Sequence, residues 1–309
     1  MISLEAVSDL EILDYLEIYG STVECAKQLN ISQSSCSRRY RGFSETFKLS
    51  FDHNGETYGC SRNLDVLTSL REAAQKLRIR SGSPRVCRGW QLGDLSLVDQ
   101  TSGLREVEIR PMSSWTLLSL LDRRLIDLAV MGIYEFQSLL DAPMESLKRQ
   151  RLDLSASVQC VPVCQWGYAL VARRDHPLQG RDDLSAKDLA RFPSPSLPLG
   201  VAPHLMVALQ RQGLANHTSG LHYYESARWE GFAADGHGLS YCSPAMLPKV
   251  ASTWSLSPLQ YKLGINEWMA VVGQRDVLGD SRFPDYLKVL WSNMKGLVKG
   301  DGPQSTWIY

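Results

Sequence analysis

Three arginines, Arg38, Arg39 and Arg41, crowd one short stretch, "ISQSSCSRRYRGF" (Ile31 to Phe43). A guanidinium is a planar fork of donors suited to phosphate oxygens or to the acceptor edge of guanine. Gln33 adds an amide able to pair with the edge of adenine. At the α-helical step of about 100° per residue, Cys36, Tyr40, Phe43 and Phe47 line one stripe. Ser34, Arg38, Arg41 and Glu45 fall opposite, with Ser37 and Lys48 at the margin and Arg39 nearer the apolar side. Ser32 is placed to cap the helix, its hydroxyl accepting a free N–H of the first turn. Slim serines beside forked cations suit close approach to a nucleic-acid groove; a plain solvated face is the competing reading.

The residues upstream give this helix a setting. "LEILDYLEIYG" (Leu10 to Gly20) is a helix ending in glycine. Ser21, with Glu24 three residues on, starts a second, short helix over Thr22–Leu29. "NIS" (Asn30 to Ser32) is the tight turn that follows. Ala26, Leu29, Ile31 and Cys36 would fill the angle between two helices, so the unit reads as a helix-turn-helix whose last helix, carrying Ser32, Gln33, Ser34, Ser37, Arg38, Arg39 and Arg41, enters the major groove of double-stranded DNA. Arg39, if it acts at all, is expected on backbone phosphate. Asn54-Gly55 then predicts a two-residue hairpin, a wing or a surface hairpin without a partner.

"NLDVLTSLREAAQKLRIR" (Asn63 to Arg80) carries Leu67, Leu70, Ala74 and Leu77 along one seam. Such a seam wants a partner, either a second copy of the chain or its own wing domain. "SGSPR" (Ser81 to Arg85) breaks the helix and marks a boundary. Beyond it, apolar strands alternate with helical segments, the mark of an α/β domain. "RVCRGW", "REVEIRPM", "IDLAVMG", "GYALVARRDHPL", "LHYYE", "LSYCS" and "EWMAVVGQRD" read as strands. "SWTLLSLLDRRL", "LSAKDLARFP", Pro203–Gln212, "SARWEGFAADG" and "FPDYLKVLWSNMK" read as helices.

The whole-chain numbers fit this division. With 309 residues the chain has room for two or three domains. Its 33 basic and 33 acidic residues argue against coating nucleic acid wholesale. Charge is instead polarised: six acidic residues and one lysine lie up to Asn30, and four basic residues with Glu45 alone opposing them lie from Arg38 to Lys48. No apolar run has the length of a membrane span and no signal peptide is recognisable, so the chain is expected in the cytoplasm, without membrane contact. Seven cysteines, an odd number with no CxxC pair, suit buried thiols in a reducing compartment, a redox switch being the lesser alternative. No GxSxG, HExxH or phosphate-cradling glycine loop is present, and no metal or other cofactor is expected.

Over nearly its whole length the chain resembles the LysR-type transcriptional regulators. The N-terminal pattern of that family appears as Ser21, Cys25-Ala26, Leu29 and "SQSSCSRRY". The C-terminal half matches through "LIDLAVMG", "YALVARRDHPL" followed by "LSAKDLARFP", and "FAADGHGLSYCSPAML". The resemblance implies a winged helix-turn-helix domain over 1–62, a linker and dimerisation helix with hinge over 63–84, and an α/β effector domain over 85–309. That domain would have two lobes of the type 2 periplasmic-binding-protein kind, lobe I over about 85–164 and 268–309 and lobe II over about 165–267. The resemblance also implies a homodimer or homotetramer, with RNA polymerase as a candidate partner.

Two stretches depart from the family. "FKLSFDHNGETYGCSRNLDVL" replaces its usual wing region, so wing contacts do not carry over. Only "QLGDLSLVDQTSGL" separates the first two strands of the effector domain, so its first helix is expected to be stunted. For a small anionic effector, Ser113 and Ser114 stand at a strand-to-helix junction, where hydroxyls and N–H groups converge. Leu199, Gly200, Val201 and Ser226 face them by family position, with Trp90, and less readily Trp115, as walls. Simple capping is the competing role for each serine. Two alternatives stand beside an effector-controlled regulator: one that works through protein contacts without an effector, and an enzyme on the same bilobed fold.

Overall fold

The computed structural model describes residues 4–53, 58–98, 102–136, 151–298 and 305–308. The chain divides into two compact units, Met1–Pro84 with Leu120–Asp127, and Arg85–Ser119 with Leu128–Tyr309.

The first unit opens with α1 (Leu4–Tyr19), α2 (Thr22–Gln28) and α3 (Gln33–Phe47). Ser21 caps α2 by accepting the N–H groups of Val23 and Glu24. Ser32 caps α3 by accepting that of Ser35. The turn between them is sharp because Asn30 takes a left-handed conformation, φ 52°. Asparagine tolerates that region better than most residues. Ile12, Tyr15, Cys25, Ala26 and Cys36 form the core between these helices. The antiparallel strands β1 (Ser50–His53) and β2 (Tyr58–Arg62) follow, with the expected Asn54-Gly55 turn outside the described residues.

Next comes α4 (Leu64–Ser81). Leu67 and Ala74 lie inside a core with Leu10, Leu13, Phe43 and Leu49, and Leu70 packs half-buried against it. Of the four seam residues only Leu77 is on the surface, 53% exposed. The inner part of the seam is thus covered by this unit's own helices.

Beneath α4 lies a buried network of charges. Arg71 holds Asp14 at 2.8 Å and Glu17 at 2.9 Å. Arg123 ion-pairs with Glu17. Asp127 accepts from Arg78 at 2.7 and 2.8 Å and from Gln75 at 3.0 Å. These pairs explain why Leu120–Asp127, expected with the effector domain by its position in the chain, groups with the first unit.

The second unit contains β3 (Arg85–Arg88), a 3-10 turn (Trp90–Leu92), β4 (Arg105–Glu106), α5 (Ser114–Asp122, its last turn grouping with the first unit) and β5 (Leu128–Gly132). It continues through β6 (Leu152–Asp153), β7 (Val158–Arg173), α6 (Ala186–Leu189), β8 (Pro195–Ser196), α7 (Pro203–Arg211), β9 (His217–Thr218) and α8 (Ser226–Ala234). It ends with β10 (Ser240–Cys242), α9 (Leu247–Trp254), β11 (Leu256–Gln274), α10 (Arg275–Gly279), α11 (Phe283–Leu297) and β12 (Ser305–Trp307). The main sheet runs β10-β7-β11-β5-β3-β4, and β8 pairs with β9 in a small parallel sheet. Long antiparallel strands β7 and β11 pass through both lobes.

Several strands differ from expectation. "REVEIRPM" is regular only over Arg105–Glu106, and "LHYYE" is no strand: an isolated bridge joins Pro111 to Tyr223 instead. Trp90 leaves the strand of "RVCRGW" for the 3-10 turn. Six of the seven cysteines are buried and Cys60 is half-buried. Burial pushes the thiols of Cys87 and Cys160 up to about 12 and those of Cys164 and Cys242 higher. Among the described residues no helix is long and apolar enough to cross a membrane.

Removing one partner from a buried charge network strands the others in low dielectric. Arg71→Ala is therefore expected to destabilise the protein by about 3–5 kcal/mol. Urea unfolding followed by circular dichroism checks this, and an unchanged midpoint would show that the network adds nothing.

Candidate functional site

On α3 the structure separates the two faces expected of a recognition helix. Cys36 and Phe43 are buried, while Ser32, Gln33, Ser34, Arg38 and Arg41 are exposed and Ser37 is half-buried. The Gln33 amide donates to Thr22 Oγ1 at 3.1 Å and to Ser37 Oγ at 3.3 Å, which holds it over the start of the helix. Arg38 reaches back to Ser35 Oγ at 3.3 Å. Arg39 differs from the other two arginines. Its Nε donates to Asp9 at 2.6 Å, so it ties α3 to α1.

Two further cations stand beside Arg41. Lys48, exposed in the left-handed residue that ends α3, and Arg62, at the end of β2, share with Arg41 a groove of about 340 Å³. Ser44, Ser50 and Glu45 complete its polar lining. Neither Lys48 nor Arg62 was singled out as a binding residue. Only the pairing of Ser50 with Arg62, at the end of the hairpin away from its turn, brings them together, and no local pattern marks that. Three positive charges against one carboxylate make this groove attractive to phosphate.

In the second unit the residues expected to hold an effector are engaged within the chain. Ser113 Oγ accepts the N–H of Trp115 at 3.2 Å, a cap. Ser114 Oγ donates to the carbonyl of Gly132 at 3.1 Å. Ser226 Oγ accepts the indole N–H of Trp254 at 2.8 Å. Leu199 is fully exposed, Gly200 turns the chain at φ 84° and Val201 is buried. Trp90 is 5% exposed, stacked on Tyr168 with ring centroids 5.7 Å apart and tilted against Trp229 at the same distance. It fills the interior instead of walling an opening. Trp115 lies on the surface, 51% exposed.

Buried carboxyls nearby draw on donors from the same unit. Glu267 accepts from Gln91 Nε2 at 3.0 Å and from the hydroxyl of Tyr168. A β-carbon on residue 132 would run into this carboxylate and into Gln91 Nε2, so any larger residue there would push both side chains aside. Glu230 accepts from the Tyr224 hydroxyl at 2.7 Å. Burial pushes both carboxyls up to about 7, against the hydrogen bonds that favour their charged forms. Among the described residues no cluster of His, Cys, Asp or Glu has the make-up of a metal site.

No protein-family model and no curated protein matches the chain. Solved structures do. One is OxyR of Corynebacterium glutamicum in an H2O2-bound mutant form, with 16% identity, 94% of this chain and 93% of that chain covered, and a TM-score of 0.51. Another is a full-length OxyR mutant of Pseudomonas aeruginosa, with 13% identity, 94% of each chain covered and a TM-score of 0.50. A third is described as a probable transcriptional regulator from Pseudomonas aeruginosa, with 17% identity, 94% and 97% covered, and a TM-score of 0.52. At these identities the likeness is one of fold. The chain has the fold of a full-length LysR-type regulator: winged helix-turn-helix, linker helix and two-lobed α/β effector domain.

The raised carboxyls give a pH signature. A carboxyl with a folded pKa near 7 holds its proton after the unfolded chain has lost it, so its contribution is full below about 4.3 and is lost as pH rises through about 7. Glu267→Gln, neutral at every pH, is expected to flatten the fall in stability across that window. Melting temperatures of wild type and variant between pH 4.5 and 7.5 check it. Parallel curves would mean that Glu267 is ionised throughout.

Proposed function

We propose that this chain is a sequence-specific DNA-binding transcriptional regulator of LysR type, acting in the cytoplasm as a homodimer or homotetramer. The observation that carries the reading is α3, with Gln33, Ser34, Arg38 and Arg41 exposed along one face of a helix whose other face is core. The similarity to a protein described as a probable transcriptional regulator supports it. Lys48 and Arg62 extend the contact onto backbone phosphates. Arg39 contributes by positioning, through Asp9. RNA polymerase is the further partner such a regulator would address.

Control by a small anionic effector is the first reading of the second unit, and it rests on the serines at helix starts. A specific observation favours the other reading, a regulator that works without an effector. Ser113, Ser114 and Ser226 already have partners inside the chain, and Trp90 is packed into the interior. The enzyme alternative has less support, because Glu267 and Glu230 are bound to Tyr168, Gln91 and Tyr224.

Self-association would use what α4 leaves on the surface. Leu77 is exposed and Leu67 is not, so Leu77→Asp is expected to weaken assembly without unfolding the chain, whereas Leu67→Asp should unfold the first unit. Sedimentation with circular dichroism separates the two. A Leu77→Asp protein that sediments like wild type removes this residue from the interface.

The test of DNA reading is affinity for genomic fragments recovered with the protein, compared with random duplexes. Arg38→Ala and Arg41→Ala should each cost about 1–3 kcal/mol where the arginine reads a base. Where it meets phosphate, the loss should be uniform across sequences and the salt dependence shallower by about one unit. Unchanged binding by both variants, with unchanged melting, would reduce the arginines to a solvated face.

A further inference from the structure

Glu135 lies just beyond β5, in lobe I, and its side chain is 4% exposed. Its two carboxylate oxygens accept the backbone N–H groups of His204 and Leu205, each at 3.1 Å, and His204 Nδ1 is 3.3 Å from the same group. Those N–H groups belong to the first turn of α7, a nine-residue helix of lobe II. The free N–H groups and dipole of a helix start are what an anionic ligand would seek. Here a carboxylate from the opposite lobe meets them.

The two lobes are joined elsewhere along the same line. Met112 N–H donates to the carbonyl of His222 at 2.8 Å, and Tyr224 N–H to that of Arg110 at 2.7 Å. Ser243 Oγ donates to the carbonyl of Gln91 at 2.5 Å, and Lys249 pairs with Asp94 at 2.5 Å. At Gly93 a β-carbon would run into the side chain of Met246.

We propose that the effector domain is closed on its own side chains, with Glu135 as a resident carboxylate ligand at the start of α7. Glu135 crosses from one lobe to the other, as the carboxylate of a bound small acid would. Trp90, buried against Tyr168 and Trp229, leaves no aromatic wall open to a ligand. The domain therefore needs no added anion to close, and removing the Glu135 carboxylate creates a vacant site for a small monocarboxylate such as acetate. This deepens the effector-independent reading above. Its test contains no DNA, so its failure would leave the reading of α3 untouched.

The experiment uses the full chain and three proteins: wild type, Glu135→Ala and Glu135→Gln. In chloride buffer Glu135→Ala should melt at least about 2–4 °C below wild type. Replacing chloride with acetate at equal ionic strength should restore much of that loss in Glu135→Ala. It should leave wild type unmoved, and Glu135→Gln as well, because the glutamine amide fills the space that acetate would enter. Equal melting of wild type and Glu135→Ala overturns the proposal. So does a lowered melting temperature that acetate does not recover, which would make Glu135 a packing residue only. Acetate stabilising all three proteins alike overturns it too, because the anion would then be acting elsewhere.

Discussion

Everything in the second unit hangs on one antiparallel ladder. β7 and β11 pair from Leu256 opposite Arg173 to Gln274 opposite Val158, a run of sixteen residues on β7 that spans roughly 50 Å. The inner part of this ladder joins β5 and so builds lobe I. The outer part joins β10 and carries the core of lobe II, with Leu170, Tyr241, Leu205 and Trp229 buried together. Two strands common to both lobes keep them attached at any degree of opening. The ladder alone cannot decide how far apart they stand. That is left to contacts off the ladder: the backbone pair of Arg110 and Met112 with Tyr224 and His222, the Ser243 bond to Gln91, and the Glu135 carboxylate.

The network under α4 and the carboxyls of Glu267 and Glu230 bury their charge in opposite ways. In the first, Asp14, Glu17 and Asp127 meet Arg71, Arg123 and Arg78, so ionised carboxylates are matched by guanidinium forks that satisfy several lone pairs at once. In the second, Glu267 and Glu230 have only hydroxyl and amide donors, and desolvation drives them toward the neutral form. The first arrangement is costly to break, because each charge depends on its partner. The second is costly to ionise. Neither resembles Glu135, whose partners are backbone N–H groups and whose bond ties two lobes together.

Local features were legible in the amino-acid sequence, and long-range ones were not. The caps at Ser21 and Ser32, the extent of α2, the start of α3 and the paired strands of the wing follow from short-range rules. So does the burial of Cys36 and Phe43 opposite Arg38 and Arg41. "LHYYE" misled because its burial does not alternate: Leu221 and Tyr224 are buried while His222 and Tyr223 are exposed, a spacing that a strand with one covered face would not give. Only the second half of β7 belongs to an expected strand, and its first half contains Pro162, which lacks a donor. The strand tolerates it because Pro162 pairs with Ala270 where the register shifts. The apolar seam of α4 is plain in the sequence, yet an apolar seam does not say whether a second chain or the same chain covers it. Leu67 and Ala74 are covered by α1, α3 and Leu49.

The serines expected at an effector site show the same limit in sharper form. A serine at a helix start offers a hydroxyl and a nearby N–H whether it caps the helix or grips an anion, because both uses draw on the same unsatisfied groups. Sequence pattern therefore identified Ser113, Ser114 and Ser226 as polar groups at junctions and could go no further. What separates the two uses is whether another part of the chain has already taken those groups. Glu135 and His204 are 69 residues apart, and no local rule connects them. Once folding brings a carboxylate to an open helix start, an external anion must displace a covalently tethered rival before it can bind. The tethered group has a high local concentration and loses little further freedom on binding. A domain built in this way is biased toward closure by its own sequence.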